Sequence, residues 1–252
     1  MLLCGRKRPG GTNDECIETM STNAVRYELH DGLAVITLDD GKANALSPDV
    51  IGAVQDALDR AEREARAVVL TGRPGRFSGG FDLKVMRQGR SEMISLVTAG
   101  GELGLRLYEF PRPVIIACTG HAIAMGAILL LCADTRLGVD GDFKIGMNEV
   151  AIGLTLPAFG VELARDRLTV QHLTRATVTA EIYAPAAAVE AGFLDRVTSA
   201  ATLLEAARAE AARLGGLDAV SVATTKRRLR HATISRIRAT MKEDLEQMTS
   251  GQ

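Results

Sequence analysis

An α/β fold closed by a helical C-terminal part is predicted by three features of the 252-residue chain. Short runs rich in β-branched residues recur through its middle, each is followed by a turn and a helical stretch, and after residue 200 only helical spacing is found. Residues 1–22 are expected to form a disordered extension, 23–199 the α/β core and 200–252 the helical region. At 46% hydrophobic, the chain can bury one full core.

Val25-Arg-Tyr-Glu-Leu-His30 alternates in polarity and Leu33-Ala-Val-Ile-Thr-Leu38 is β-rich, so Asp31-Gly32 between them reads as the turn of a hairpin. Ser47-Pro48-Asp49 opens a helix with a hydroxyl cap, a proline at the first helical position and an acid in the first turn. Val50, Ile51, Val54, Ala57, Leu58 and Ala61 then follow at helical spacing. Arg66-Ala-Val-Val-Leu-Thr71 reads as a buried strand ended by Gly72-Arg-Pro-Gly75. The loop Phe77-Ser-Gly-Gly-Phe-Asp82 leads to a helix over 91–109, which Pro111-Arg-Pro113 ends. Val114-Ile-Ile-Ala-Cys118 is the next strand. Thr119-Gly120 turns into a helix of small residues beginning near Ala124, and Thr135-Arg-Leu-Gly-Val139 is a further strand. In the C-terminal part Leu203, Leu204, Ala207 and Ala211 share one face, and helical spacing continues over 220–230 and 234–248. Lys226-Arg-Arg-Leu-Arg230, with Arg236 and Arg238, reads as a solvated basic face.

Composition excludes several classes of function. A formal net charge of -1 offers no electrostatic attraction to nucleic acid or membrane. The absence of Trp and an aromatic content of 4% argue against a base-stacking platform. Cys4, Cys16, Cys118 and Cys132 are not in C-x-x-C spacing, and His30, His121, His172 and His231 show no H-E-x-x-H pattern, so neither a disulfide framework nor a metal site is expected. The apolar run over 122–133 is too short to span a bilayer, and the head around Arg6-Lys-Arg8 lacks the apolar stretch of a signal peptide. A cytoplasmic location is expected, with Met20 as an alternative start.

Two loops carry the chemistry. Gly79-Gly80 allows a ligand to approach the backbone closely, and Ala124-Met-Gly-Ala127 opens a helix whose first amides have no partner within it. Two such N–H groups aimed at one point form an oxyanion hole; the same spacing also fits tight helix–strand packing. Glu149 lies in Phe143-Lys-Ile-Gly-Met-Asn-Glu-Val-Ala-Ile-Gly153, where most neighbours are apolar or small. Desolvation there would raise its pKa and suit it to take and return a proton; taken alone, it also reads as a surface carboxylate in a loop. Asp82, after two glycines, reads better as the cap of a short helix than as a catalytic acid. His121 invites a base assignment, against a structural role.

Taken together, these segments resemble the crotonase (enoyl-CoA hydratase/isomerase) superfamily from about Val25 to Met248. The resemblance is carried by Val68-Val-Leu-Thr-Gly, Phe77-Ser-Gly-Gly-Phe-Asp-Leu-Lys84, Pro113-Val-Ile-Ile-Ala, Gly120-His-Ala-Ile-Ala-Met-Gly-Ala127 and Ala188-Val-Glu-Ala-Gly-Phe-Leu-Asp195. It implies a ClpP-like spiral of ββα units with a C-terminal helical trimerisation region, assembled as a homotrimer or a dimer of trimers. It also implies an acyl-CoA thioester ligand and no tightly bound cofactor, coenzyme A being part of the substrate. By motif position the thioester oxygen would sit between the amides of Gly79 and Met125. Lys42, Ala43, Ala45, Ser78, Gly80, Phe81, Asp82, Leu83, Lys84, Gly126 and Asn148 would contribute to binding, with Asn148 placing the carboxylate or the thioester.

Within that superfamily the chain is most similar to the mitochondrial-type Δ3,Δ2-enoyl-CoA isomerases, through Arg73-Pro-Gly-Arg-Phe-Ser-Gly-Gly-Phe-Asp-Leu83 and Ile145-Gly-Met-Asn-Glu-Val-Ala-Ile-Gly-Leu-Thr-Leu-Pro157. The first of the two glutamates of the hydratases would fall on Ile128 and the second on Glu149, which is the pattern of the isomerase branch. The family helix usually opens with three glycines, whereas here it opens Ala124-Met125-Gly126, and Met125 is expected to narrow the cleft. Isomerisation of a 3-enoyl-CoA by a single-glutamate shuttle is the leading expectation. Hydration would need Glu149 alone to activate water, or an acid such as Glu92 or Glu102 brought in from the helix over 91–109; decarboxylation or thioester hydrolysis could use the same scaffold. A non-catalytic acyl-CoA-binding protein is the alternative from another class.

Overall fold

The computed structural model describes residues 18–21 and 24–250. β1 (Glu18–Ser21) pairs antiparallel with β2 (Val25–His30), Glu18 opposite Leu29. This corrects the expectation of disorder at 18–21: the outer edge of β2 offers unpaired backbone groups, and the preceding segment satisfies them. Residues 1–17 and 22–23 of the expected extension lie outside the described residues. The hairpin of β2 with β3 (Leu33–Leu38) forms as expected, with Asp31 and Gly32 both at positive φ. α1 (Pro48–Glu64) begins where the cap signature places it, the Ser47 hydroxyl accepting the Val50 N–H at 3.2 Å.

From there the chain repeats one unit: a buried parallel strand, a short second strand, then helix. β4 (Ala67–Gly72) is followed by β5 (Gly75–Ser78), α2 (Leu83–Met86) and α3 (Arg90–Glu109). β6 (Val114–Cys118) is followed by β7 (Gly120–Ile123) and α4 (Met125–Cys132). β8 (Thr135–Val139) is followed by β9 (Ile145–Gly146), a 3-10 turn at Val150–Ile152 and α5 (Ala158–Arg167). α6 (Val170–Thr177), α7 (Pro185–Ala191) and β10 (Arg196–Thr198) close the core. The first strands of the units join the hairpin in a seven-stranded sheet of order β1-β2-β3-β4-β6-β8-β10, parallel from β3 onward. The second strands stack into a three-stranded sheet, β5-β7-β9. These turns of a ββα spiral set the ends of β5, β7 and β9 side by side, and the candidate site lies at those ends.

Both faces of the large sheet are covered, so its inner strands are apolar without alternation. One face packs on α1, α3 and α4; the other carries Val69, Ile115 and Leu137 beneath α8 (Leu203–Gly215). α8 meets the sheet through Leu203, Ala207 and Ala211, four residues apart, while Leu204 is off that face and 37% exposed. The two expected C-terminal segments are one helix, α9 (Ala219–Ser250), packed on α3 and α5.

The basic run at the start of α9 is not a uniformly solvated face. Lys226 and Arg230 are buried, four residues apart, and both pair with Asp134 at the start of β8. The Lys226 ammonium also donates to the Phe110 and Arg112 carbonyls at 2.9 Å, and Arg230 stacks on the Tyr108 ring at 4.3 Å. Desolvation lowers the Lys226 pKa, with Asp134 acting in the opposite sense. Arg227, Arg228, Arg236 and Arg238 remain at least partly exposed.

Candidate active site

A cleft of about 400 Å³ opens between the loop after β5, the start of α4 and the 3-10 turn after β9. Gly79, Phe81, Leu83, Asn148 and Glu149, all expected at the site, line it. So do Met86 from α2, Met93 and Val97 from α3, Ile123 and Ala124 before α4, and 152–155 with Pro157. Most of these were not singled out as site residues in the sequence.

Glu149 is the single titratable side chain among these lining residues. It is 8% exposed, and its Oε2 is buried without a hydrogen-bond partner among the described residues. Desolvation raises its pKa; a bond from its own backbone N–H opposes the shift. Ile128, where the resemblance puts the first glutamate of the hydratases, is fully buried and reaches towards Gly160 of α5. Glu92 and Glu102 lie on exposed positions of α3 and do not line the cleft.

The loop at 77–82 is tied to the loop at 40–46. Asn44, buried at φ 51°, donates its amide hydrogens to the carbonyls of Leu38, Arg76 and Phe77 at 2.9, 3.0 and 3.1 Å. The Asp40 carboxylate gathers the N–H groups of Lys42, Asn44 and Ala45. Burial raises its pKa, but those three bonds and the charge of Arg73 outweigh it and leave it lowered. Asn44 and Asp40 escaped the sequence reading, which had attended to their neighbours Lys42, Ala43 and Ala45. Lys42 and Lys84 are exposed, and neither lines the cleft.

This scaffold corrects the expected pair of backbone donors. The Gly79 N–H is taken by the Ala43 carbonyl at 2.8 Å, so it cannot serve a ligand. The Gly80 N–H goes to the Ser78 hydroxyl at 3.2 Å. Leu46 forms a parallel bridge with Phe81, donating to the Gly80 carbonyl and accepting from the Asp82 N–H. The strand geometry therefore turns the Phe81 N–H away from Leu46, and it has no acceptor among the described residues. Ser78, expected in binding, is fully buried and donates to the Asn44 carbonyl, so its role is to hold the loop. Asp82 caps α2, accepting the Lys84 N–H at 2.8 Å.

The second donor is placed as expected. Met125 is the first residue of α4, and its N–H has no acceptor among the described residues. Ala124 before it adopts φ 54° and ψ -127°, the mirror image of the polyproline region. Gly80, at φ 88°, permits the approach of the two loops: a Cβ there would lie 2.9 Å from the Ala124 Cβ and 3.3 Å from the Met125 nitrogen. Gly126 packs on the Ser78 backbone, leaving no room for a side chain. Contrary to expectation, Met125 does not narrow the cleft. Its side chain is fully buried and extends towards Gly100 and Gly104 of α3.

His121 stands outside this arrangement. Its Nδ1 accepts the Lys144 N–H at 3.0 Å, its ring meets Phe143 edge-on, and it does not line the cleft. Burial, Arg76 and Lys144 together hold its pKa down. The site thus combines one buried carboxylate, two free backbone donors from adjoining loops and an apolar wall, which suits proton transfer beside a carbonyl whose oxygen gathers charge.

The family model described as enoyl-CoA hydratase/isomerase matches residues 28–251. A crystal structure of an enoyl-CoA hydratase/isomerase family protein from Pseudomonas syringae is 46% identical, with a TM-score of 0.88 over 90% of this chain and 98% of that one. The human mitochondrial delta3-delta2-enoyl-CoA isomerase is 27% identical, with a TM-score of 0.85 over 90% of this chain and 91% of its own. A putative enoyl-CoA hydratase of Thermus thermophilus is 31% identical over 209 residues, 77% of this chain and 79% of that protein. Matched along nearly its whole described length in sequence and in fold, the chain belongs to the enoyl-CoA hydratase/isomerase, or crotonase, family.

Proposed function

We propose that this protein converts 3-enoyl-CoA thioesters to their conjugated 2-enoyl isomers, with Glu149 as the only proton carrier. The thioester oxygen is held by the Phe81 and Met125 amides, each contributing about 3 kcal/mol to lowering the barrier. Glu149 as carboxylate takes a proton from C2, and the electrons of that C–H bond spread over C1, its oxygen and the C3–C4 double bond. The carboxylic acid so formed delivers the same proton to C4, leaving the double bond between C2 and C3.

The observation that carries this reading is the solitary acid. A carboxylate in an apolar wall can move a proton between two carbons, but hydration also requires a group to hold and orient water, and neither Glu92 nor Glu102 reaches the cleft. Met125, whose expected place in the mouth of the cleft would favour a non-catalytic binding protein, does not line the wall. Self-association into a trimer or a dimer of trimers is proposed with it. Val170, Val220 and Leu229 expose large apolar side chains on α6 and α9, and light scattering after size exclusion measures the mass.

Incubation with 3-hexenoyl-CoA should yield the 2-isomer without 3-hydroxyacyl product. Crotonyl-CoA hydrated at a comparable rate would assign the protein to the hydratases instead. Glu149→Gln should lower turnover by at least about a hundredfold while acyl-CoA binding persists; retention of more than about a tenth of the activity would refute the base assignment.

A further inference from the structure

Next to Glu149, Asn148 also lines the cleft, and its side-chain carbonyl is a second buried oxygen without a partner among the described residues. Leaving such an acceptor unpaired is destabilising, so an acceptor kept unpaired within a functional cleft invites a role there. The acyl chain of a simple enoyl thioester carries no hydrogen-bond donor and cannot satisfy it. Much of the rest of the wall is apolar: Leu83 and Met86 from α2, Met93 and Val97 from α3, Ile152 and Leu154 from the 3-10 turn and the loop after it. Among the described residues no other charged or titratable side chain lines the cleft, and the remaining side-chain acceptor, the Thr155 hydroxyl, is on an exposed residue. A carboxyl group that has just taken a proton becomes a donor and needs an acceptor where water is scarce.

We propose that Asn148 is a positioning residue for the proton shuttle, its side-chain carbonyl accepting the O–H of Glu149 after Glu149 has taken the substrate proton. The bond holds the loaded carboxyl in the cleft, so that its proton is returned to the substrate carbon rather than lost to solvent. The role in turnover rests on the proposed function, whereas the bond between the two side chains does not.

The test is therefore made first on the free protein. The Glu149 carboxyl carbon is titrated by carbon-13 NMR in glutamate-labelled protein and assigned by its disappearance in Glu149→Gln. An acceptor for the protonated form raises the pKa, so Asn148→Leu should lower the midpoint, although a more apolar neighbour acting by desolvation alone would raise it. Asn148→Ser, which keeps an acceptor, should fall between Leu and the wild type. A midpoint that is unchanged or raised in Asn148→Leu overturns the proposal. In turnover of 3-hexenoyl-CoA, Asn148→Leu should lower kcat by at least about tenfold with KM within about twofold, and Asn148→Ser should recover part of the loss. An unaltered kcat overturns the positioning role, as does a loss confined to KM, which would make Asn148 a substrate contact. Wild-type protein without activity on any enoyl thioester would remove the proposed function, while the titration would still decide the bond.

Discussion

The Phe81 ring occupies the space that a side chain on Gly100 would need: a Cβ at Gly100 would collide with the ring. Phe81 supplies one of the two free amides, and Gly100 is on α3, so this contact couples a helix wall to the position of a backbone donor. Gly100→Ala should push the ring into the cleft and shift the loop at 77–82. Small-to-large changes in tight packing cost about 1–3 kcal/mol. The expected outcome is a loss of that size in chemical denaturation and a fall in kcat/KM of about tenfold or more. Unchanged kinetics in a folded variant would mean that the ring has room to move elsewhere.

Glu149 has a pH signature of known sign. Its native pKa is raised by burial, so folding favours its protonated form. The stability associated with that form is fully present below the unfolded value, about 4.3, and is lost as pH rises through the raised native value. Glu149→Gln should therefore increase the melting temperature at pH 7 and have little effect near pH 3.5. A destabilising effect at pH 7 would sink this assignment. For turnover the sign is opposite: the base must be ionised, so the acid limb of kcat/KM should lie above the ordinary carboxylate range.

Asp134 joins the core to the C-terminal helix through two buried cations. Removing its charge with Asp134→Asn leaves Lys226 and Arg230 uncompensated and should cost about 3–5 kcal/mol. Because the cluster is largely shielded from solvent, the loss measured by urea denaturation should change little with added salt. A strongly salt-dependent loss would return these residues to the solvated face that the charge run suggested.

Ala124 holds a conformation that costs a side-chain-bearing residue about 1–3 kcal/mol. Glycine adopts it without that cost, so Ala124→Gly should stabilise the fold by about 1 kcal/mol, net of its greater unfolded-state entropy. A destabilised variant would show that the Ala124 methyl group contributes more by packing than its backbone loses by strain.

Asn44 bridges the two loops with three hydrogen bonds from one amide. Asn44→Ala should lose at least about 2 kcal/mol, since it orphans buried carbonyls and puts alanine at positive φ. The loss should appear as a higher KM as well as a lower melting temperature, because the bond from Gly79 to Ala43 depends on the same loop.

What the sequence determined by itself is local. The hairpin, the Ser47 cap, the strands β4, β6 and β8 of the large sheet and the start of α4 follow from residue spacing and turn chemistry, which act over a few residues. Glu149 and Met125 were also legible, because each belongs to a segment whose resemblance to a family is read residue by residue. The three-stranded sheet was not: its strands are two to four residues long, too short for periodicity, and exist only by pairing with each other. Whether Gly79 or Phe81 offers its N–H to the cleft depends on Leu46, far off in the chain, because a strand bridge decides which way each amide points. Burial of Lys226 depends likewise on Asp134, 92 residues away. Donor direction and the burial of charge are properties of neighbours brought together by folding, and only the tertiary structure decided them.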